Sequence, residues 1–128
     1  MIYNLVAHLI SQLPALDFVA NGWSPESPQD SIMVRQSGGT VGHWFPRTDY
    51  NVQVISRAQS SVLARSQVYQ VYDELKNKFG IELPEVTVDE VYAAVKTYQI
   101  SPIEVPGYIG ADRTHLEMWS VNFTVTTD

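Results

Sequence analysis

Two stretches of alternating residues constrain the fold of this chain more than any other feature. Apolar and mostly polar side chains alternate from Tyr50 to Arg57, and they alternate again from Trp119 to Thr126. Successive side chains of a β-strand point to opposite faces of its sheet, so each stretch predicts a strand with one buried face and one wet face. The second stretch belongs to a long terminal strand.

The N-terminal stretch has the spacing of an amphipathic helix. Apolar residues from Ile2 to Leu13 recur three and four positions apart, so they share one face of a helix, and Pro14 limits that helix.

The clearest helix follows the first alternating stretch. Its apolar positions run from Ala64 to Phe79 at helical spacing. Ser60 or Ser61 is suited to cap its N-terminus, and Gly80 is a natural stop at its C-terminus. We therefore predict a helix between these limits.

The intervening segments are predicted from their turn formers. Residues 21–30, 37–50 and 101–113 are rich in Gly, Pro or Ser and predict loops. Residues 31–36 form a short apolar run that predicts a strand. The fold must then connect short strands through exposed loops.

Residues 87–100 fit two structures. Thr87 and Glu90 make a capping-box pattern that would open a helix, whereas the frequent Val, Tyr and Thr favour a strand, which we prefer. The elements together predict an α+β fold, with a mostly antiparallel sheet of about four strands flanked by helices in the order α-β-β-α-β-β. Residues 1–128 are expected to form a single domain.

Composition narrows the class of protein. A hydrophobic fraction of 45% is typical of a globular domain, and the absence of cysteine excludes disulfides, zinc–thiolate sites and cysteine nucleophiles. The N-terminus has no basic n-region, and polar residues interrupt its apolar ones, so we expect a soluble, unexported protein that does not bind membranes. A net charge of −6 with dispersed basic residues disfavours specific nucleic-acid binding.

Patterns of catalytic chemistry are missing from the sequence. The chain has no G-x-S-x-G elbow, and its glycine-rich segment lacks the Lys-Ser/Thr ending of a phosphate-binding loop. The best ligand-like cluster is Asp112, His115 and Glu117, which leaves a small metal- or ligand-binding domain as an alternative. We expect no enzyme activity and no cofactor.

Two segments are candidates for contacts between subunits. Trp44 and Phe45 lie in a segment full of loop formers, so they either fold back onto the core or become buried against another chain. With Arg47 beside them, the composition is that of a protein interface. Arg57 lies on the polar face of its strand shortly before a helix N-terminus, where it could hold a carboxylate of the same chain or of a neighbour.

Short motifs give the chain a family resemblance. A strand with Gln53, Val54, Ile55 and Arg57 is followed by a helix with Tyr72, Asp73 and Leu75. Further along come Pro102, Gly110, Asp112 and Arg113, and the last strand carries Asn122 and Phe123. In this order they resemble the tail terminator, minor capsid and tail completion proteins of long-tailed bacteriophages.

The resemblance implies a structural role in virion assembly. A protein of this family would form a homo-oligomeric ring, expected to be a hexamer, that ends growth of the tail tube and helps join the tail to the head. Its partners would be its own copies, the major tail tube protein and the head connector or neck proteins, with DNA passing through the ring. Such a protein is assembled in the host cytoplasm and resides in the virion. Asp112 and Arg113 are further candidate contacts, and head completion at the neck is the alternative role.

Overall fold

The computed structural model describes residues 1–42 and 47–127. Most of these residues belong to one large sheet with two helices packed against it. In chain order the elements are α1 (Ile2–Gln12), β1 (Phe18–Ala20), β2 (Ser31–Val41), β3 (Thr48–Ala58), α2 (Ser61–Leu75), β4 (Lys78–Phe79), β5 (Glu82–Leu83), β6 (Val86–Thr87), β7 (Val91–Tyr92), β8 (Val95–Pro102), β9 (Gly107–Ala111) and β10 (Glu117–Thr127).

The eight-stranded sheet is built around the two alternating stretches. β3 and β10 pair antiparallel along their whole length, from Thr48 opposite Thr127 to Ala58 opposite Glu117. Outward from this pair the order is β10-β8-β4 on one side and β3-β2-β1 on the other, with β1 parallel to β2. β5 also pairs with β8, and β9 pairs with β10 beyond the end of β8. β6 and β7 form a separate ribbon.

Both helices cover the same face of the sheet. Their apolar residues, such as Leu5 and Val68, join one buried cluster with Val54 of β3 and Phe123 of β10. The Ser60 side chain accepts a hydrogen bond from the backbone N–H of Leu63 and caps α2, which confirms one of the two predicted caps. Burial of this single apolar face drives the fold.

The opposite face of the sheet is mostly polar and half buried, except where Met33 and Ile55 are buried beside each other. Gln53 lies opposite Asn122, and Asn51 lies opposite Thr124, all with side chains on this face. The loop formed by residues 21–30 reaches one end of the face. The sheet therefore has a helical side and a polar side, as the alternation predicted.

The predicted fold class is wrong. The sheet has eight strands and a mixed pairing instead of about four strands, and strands occupy 46% of the described residues against 21% for helices. The order α-β-β-α-β-β fails because six further strands of two to five residues form, and their conformation comes from pairing with neighbouring strands; they are β1, β4, β5, β6, β7 and β9. Strands this short cannot be predicted from the periodicity of hydrophobic residues.

Three local predictions also fail. Residues 37–50 were predicted as a loop, yet β2 continues to Val41 and β3 begins at Thr48. α2 ends at Leu75 instead of Phe79, because Asn77 takes a positive φ of 54° and the chain then forms β4. The predicted loop 101–113 contains β9.

The ambiguous segment is divided. Only residues 95–100 belong to a long strand, β8, whereas Thr87 ends β6 and Val91 begins the short β7. Asn4 on α1 donates side-chain hydrogen bonds to the carbonyls of Pro84, Tyr92 and Ala93. This buried amide ties the β6–β7 ribbon to the N-terminal helix.

Candidate assembly surfaces

The predicted aromatic contact is only partly described. Trp44 and Phe45 lie outside the described residues. Arg47 is exposed and forms a bidentate ion pair with Asp49 at 3.0 and 3.2 Å. The hydrogen bond from Arg47, with a second from the Thr126 hydroxyl, lowers the pKa of Asp49. Arg47 is therefore paired with a carboxylate of its own chain at the start of β3.

Arg57 holds a loop of its own chain. Its guanidinium carbon lies 4.4 Å from the ring centroid of Trp23, and one Nη donates to the carbonyl of Pro28 at 3.1 Å. Arg57 therefore lies on the face opposite α2 and contacts residues 21–30 of its own chain, while its charge also helps to lower the pKa of Asp112. Its role is to fasten residues 21–30 to the sheet.

Asp112 organises the turn between β9 and β10. Its Oδ1 accepts hydrogen bonds from the backbone N–H groups of Thr114 and Leu116 and from the Thr114 hydroxyl. Burial raises the pKa of Asp112, but these hydrogen bonds and the charge of Arg57 outweigh burial and leave that pKa below its ordinary value. The neighbouring Arg113 is exposed in this turn.

The geometry does not favour a metal site at Asp112, His115 and Glu117, the alternative that the sequence left open. Within residues 1–42 and 47–127, no three His, Asp or Glu side chains are grouped closely enough to hold a metal ion. Asp112 is engaged in the turn, and Glu117 accepts a hydrogen bond from the Tyr108 hydroxyl. This hydrogen bond raises the pKa of Tyr108. His115 is exposed at a positive φ of 64°.

One margin of the sheet has an open strand edge. β1 pairs with β2 only at residues 32–34, so no described strand lies beside residues 35–41, which we name the open β2 edge. All of its residues are exposed, and Val41 is 73% exposed. An edge of this kind presents unpaired backbone N–H and C=O groups to another strand.

The pairing pattern shows which backbone groups point outward. Gly42 donates its N–H to the carbonyl of Arg47. Because bonded and non-bonded positions alternate along an antiparallel pair, Val41 and Gly39 direct their backbone groups away from β3. The open β2 edge therefore offers hydrogen-bonding groups at alternate residues.

A groove runs along this edge. It encloses about 360 Å³ and is lined by residues 36, 38–41, 48 and 50. Gly39 is required there, since a Cβ atom at this position would lie 2.2 Å from the carbonyl oxygen of Asp49. The glycines leave room for a large side chain from outside the subunit.

The opposite margin carries a second open edge. β9 pairs with β10 alone among the described strands, and we name its outer side the open β9 edge. Asp112 donates its N–H to the carbonyl of Leu116, and Ile103 donates to that of Asn122. By the same alternation, Tyr108 and Ala111 direct their backbone groups outward.

Exposed apolar side chains surround the open β9 edge. Tyr108 and Ile109 are about half exposed, and Val105 is 64% exposed. These residues were not predicted as contacts, because their segment was predicted to be a loop. A signal was present, since residues 105–111 contain no charged side chain, which is unusual for a solvated loop.

Comparison with known proteins adds no family to these observations: no protein-family model matches the chain, and no curated protein matches it. Within the described residues, neither helix has the length and apolarity needed to span a bilayer.

Proposed function

We propose that this chain is a structural virion protein of a long-tailed bacteriophage. In this role it forms a homo-oligomeric ring of the tail terminator type, which ends growth of the tail tube and helps join the tail to the head. No catalytic step is assigned to it.

The observation that carries the proposal is the pair of open strand edges on opposite margins of one sheet. A closed ring uses head-to-tail contacts, in which two different patches of each subunit meet. The open β2 edge and the open β9 edge are two such patches. Arg35, at the start of the open β2 edge, is the one charged residue within residues 35–42 and 105–111. The motifs that resemble phage tail terminator and tail completion proteins support the same role.

Light scattering coupled to size exclusion, followed by negative-stain imaging, tests the proposal. We expect rings, either from the purified protein or on isolated tail tubes. A protein that stays monomeric and binds neither tail tubes nor head connectors would refute a role in virion assembly.

The same experiment separates the two assembly roles. Binding to the end of the tail tube supports tail termination, whereas binding to the connector alone assigns the protein to head completion at the neck. Both outcomes keep the ring and differ in its docking partner.

A further inference from the structure

We propose that the open β2 edge of one subunit pairs with the open β9 edge of the next, so that the copies close into one continuous barrel of strands. This inference rests on the ring proposed above and names the surfaces that join its subunits.

Strand directions are compatible with this pairing. β2 and β10 both run antiparallel to β3, so they run in the same direction, and β9 runs antiparallel to β10. β9 therefore runs opposite to β2. A copy related by rotation about the ring axis brings its β9 antiparallel to β2, which is the more stable pairing.

The two edges also match in their side chains. Neither has the lysine or proline that commonly protects a free edge from other strands. The groove beside Gly39 can receive a large side chain, and Tyr108 and Ile109 are exposed on the opposite edge. A second copy of this chain supplies both the strand and the side chain, so we infer that it is the occupant.

The edges are offset along the strands by the amount that a closed barrel needs. The open β2 edge is level with β3 residues 48–53, whereas β9, through β10, is level with β3 residues 55–58. This offset of about six residues corresponds to ~20 Å along the strands. The four strands β2, β3, β10 and β9 together are ~19 Å wide, which is the width that each subunit adds to the barrel. The ratio gives a strand tilt of about 45°, at the upper end of the range for closed barrels.

The handedness of the chain determines which face would line the channel. The segment from α2 to β7 connects β3 to β8, which run parallel in the sheet, and a connection between parallel strands of one sheet is right-handed in nearly all proteins. Seen from the helices with β3 pointing up, β9 lies to the upper right and the open β2 edge to the lower left. In a closed barrel seen from outside, the right-handed coiling of the strands likewise places the next subunit to the upper right when the strands point up. The helices would therefore lie outside.

The polar face of the sheet would then line the channel. Its central residues Asn51, Gln53, Asn122 and Thr124 carry no charge. The face also carries Arg35, whose Nε donates to Gln53, and Arg57, so it is a polar surface with few cations to hold the phosphates of passing DNA. For six subunits with four strands each, the barrel would be about 50 Å across between backbones.

Proline substitutions at the two edges test the pairing. Val41→Pro and Ala111→Pro each remove an outward N–H and leave the pairing within the subunit in place. Each variant alone should fail to form rings, as measured by light scattering and negative stain. If the wild type forms rings only on tail tubes, each variant should fail to form them there. Circular dichroism and a thermal melt establish that each variant is folded.

A mixing experiment identifies the head-to-tail contact. Val41→Pro keeps the open β9 edge, and Ala111→Pro keeps the open β2 edge. An equimolar mixture should therefore form a complex of two chains with one intact junction, although each variant alone stays monomeric. A mixture that remains monomeric overturns the pairing.

A lysine pair provides the matched control. Val41→Lys places a charge on the open β2 edge, while Val91→Lys places the same charge on a valine that is 63% exposed in the β6–β7 ribbon, outside the eight-stranded sheet. Only Val41→Lys should reduce assembly. If both proline variants still form the rings that the wild type forms, the edge pairing is overturned but the proposed ring function stands. If the wild-type protein itself forms no ring, both proposals are refuted.

Discussion

Arg57 and Asp112 act at the scale of single residues, and both stabilise local structure. Arg57 fastens the 21–30 loop through Trp23 and Pro28, and Asp112 closes the β9–β10 turn through three accepted hydrogen bonds. Arg57 contributes to the low pKa of Asp112, so the two side chains also interact electrostatically. Their part in contacts between subunits stays a prediction.

We predict that Arg57→Ala lowers the free energy of unfolding by about 1–2 kcal/mol, since it removes one cation–π contact and one hydrogen bond. Chemical denaturation measures the change. Arg113→Ala is the matched control, because Arg113 is exposed in its turn and should change stability by less than about 0.5 kcal/mol. Equal losses in both variants would contradict the role assigned to Arg57.

Asp112 should contribute to the acid sensitivity of the protein. Its pKa is lowered in the folded state, so its contribution is present above the unfolded pKa of about 4 and is lost as the pH falls through the folded pKa. Asp112→Asn keeps the accepting Oδ1 atom but removes the charge. We expect a smaller loss of unfolding free energy below about pH 4 in this variant, measured by urea denaturation.

Asp49 provides the comparison for that measurement. Its pKa is also lowered, so it contributes acid sensitivity of the same sign. Asp112→Asn should therefore reduce the pH dependence without abolishing it. An unchanged profile would show that the Asp112 charge contributes nothing to the turn.

At the scale of elements, β2 combines two environments. Residues 31–34 are buried beside β1, whereas residues 35–41 are exposed and form the open β2 edge. A break in the β2–β3 register between Gln36 and Gly39 marks the change. Bulges of this kind re-aim a strand, and this one places the groove at the margin of the sheet.

We predict that Gly39→Ala disrupts the open β2 edge, because its Cβ atom would overlap the carbonyl oxygen of Asp49. Amide hydrogen exchange should show loss of protection in residues 39–41 and 48–50, and ring assembly should fall. Gly22→Ala is the control, since a Cβ atom there meets no other atom within 4 Å. Unchanged exchange in Gly39→Ala would contradict the tight approach of the two strands.

At the scale of the whole molecule, one core joins the two helices to the sheet. The buried cluster includes residues of α1, α2 and the central strands, and the Asn4 amide adds the β6–β7 ribbon. The polar face and the two open edges remain outside that core. The molecule therefore has a stable centre and margins suited to association.

A shared core predicts cooperative unfolding. Far-ultraviolet circular dichroism and tryptophan fluorescence should report the same single transition in urea, as expected for two-state unfolding of one domain. Two separated transitions would show that the helices and the sheet unfold independently.

The sequence alone determined the elements whose side chains follow a regular period. Alternation located β3 and β10 and their two faces, and helical spacing located α1 and the start of α2. These predictions succeeded because burial of one face imposes its period directly on the residues.

Only the tertiary structure decided the extent of the sheet and the contacts of the candidate residues. β9 and the outer part of β2 owe their conformation to backbone pairing with β10 and β3, which places no period on their side chains. Asn4 shows the same limit, because its three carbonyl partners lie at least 80 residues away along the chain. Backbone hydrogen bonds and long-range polar contacts depend on which distant segments pack together in the fold, and the local sequence does not determine that.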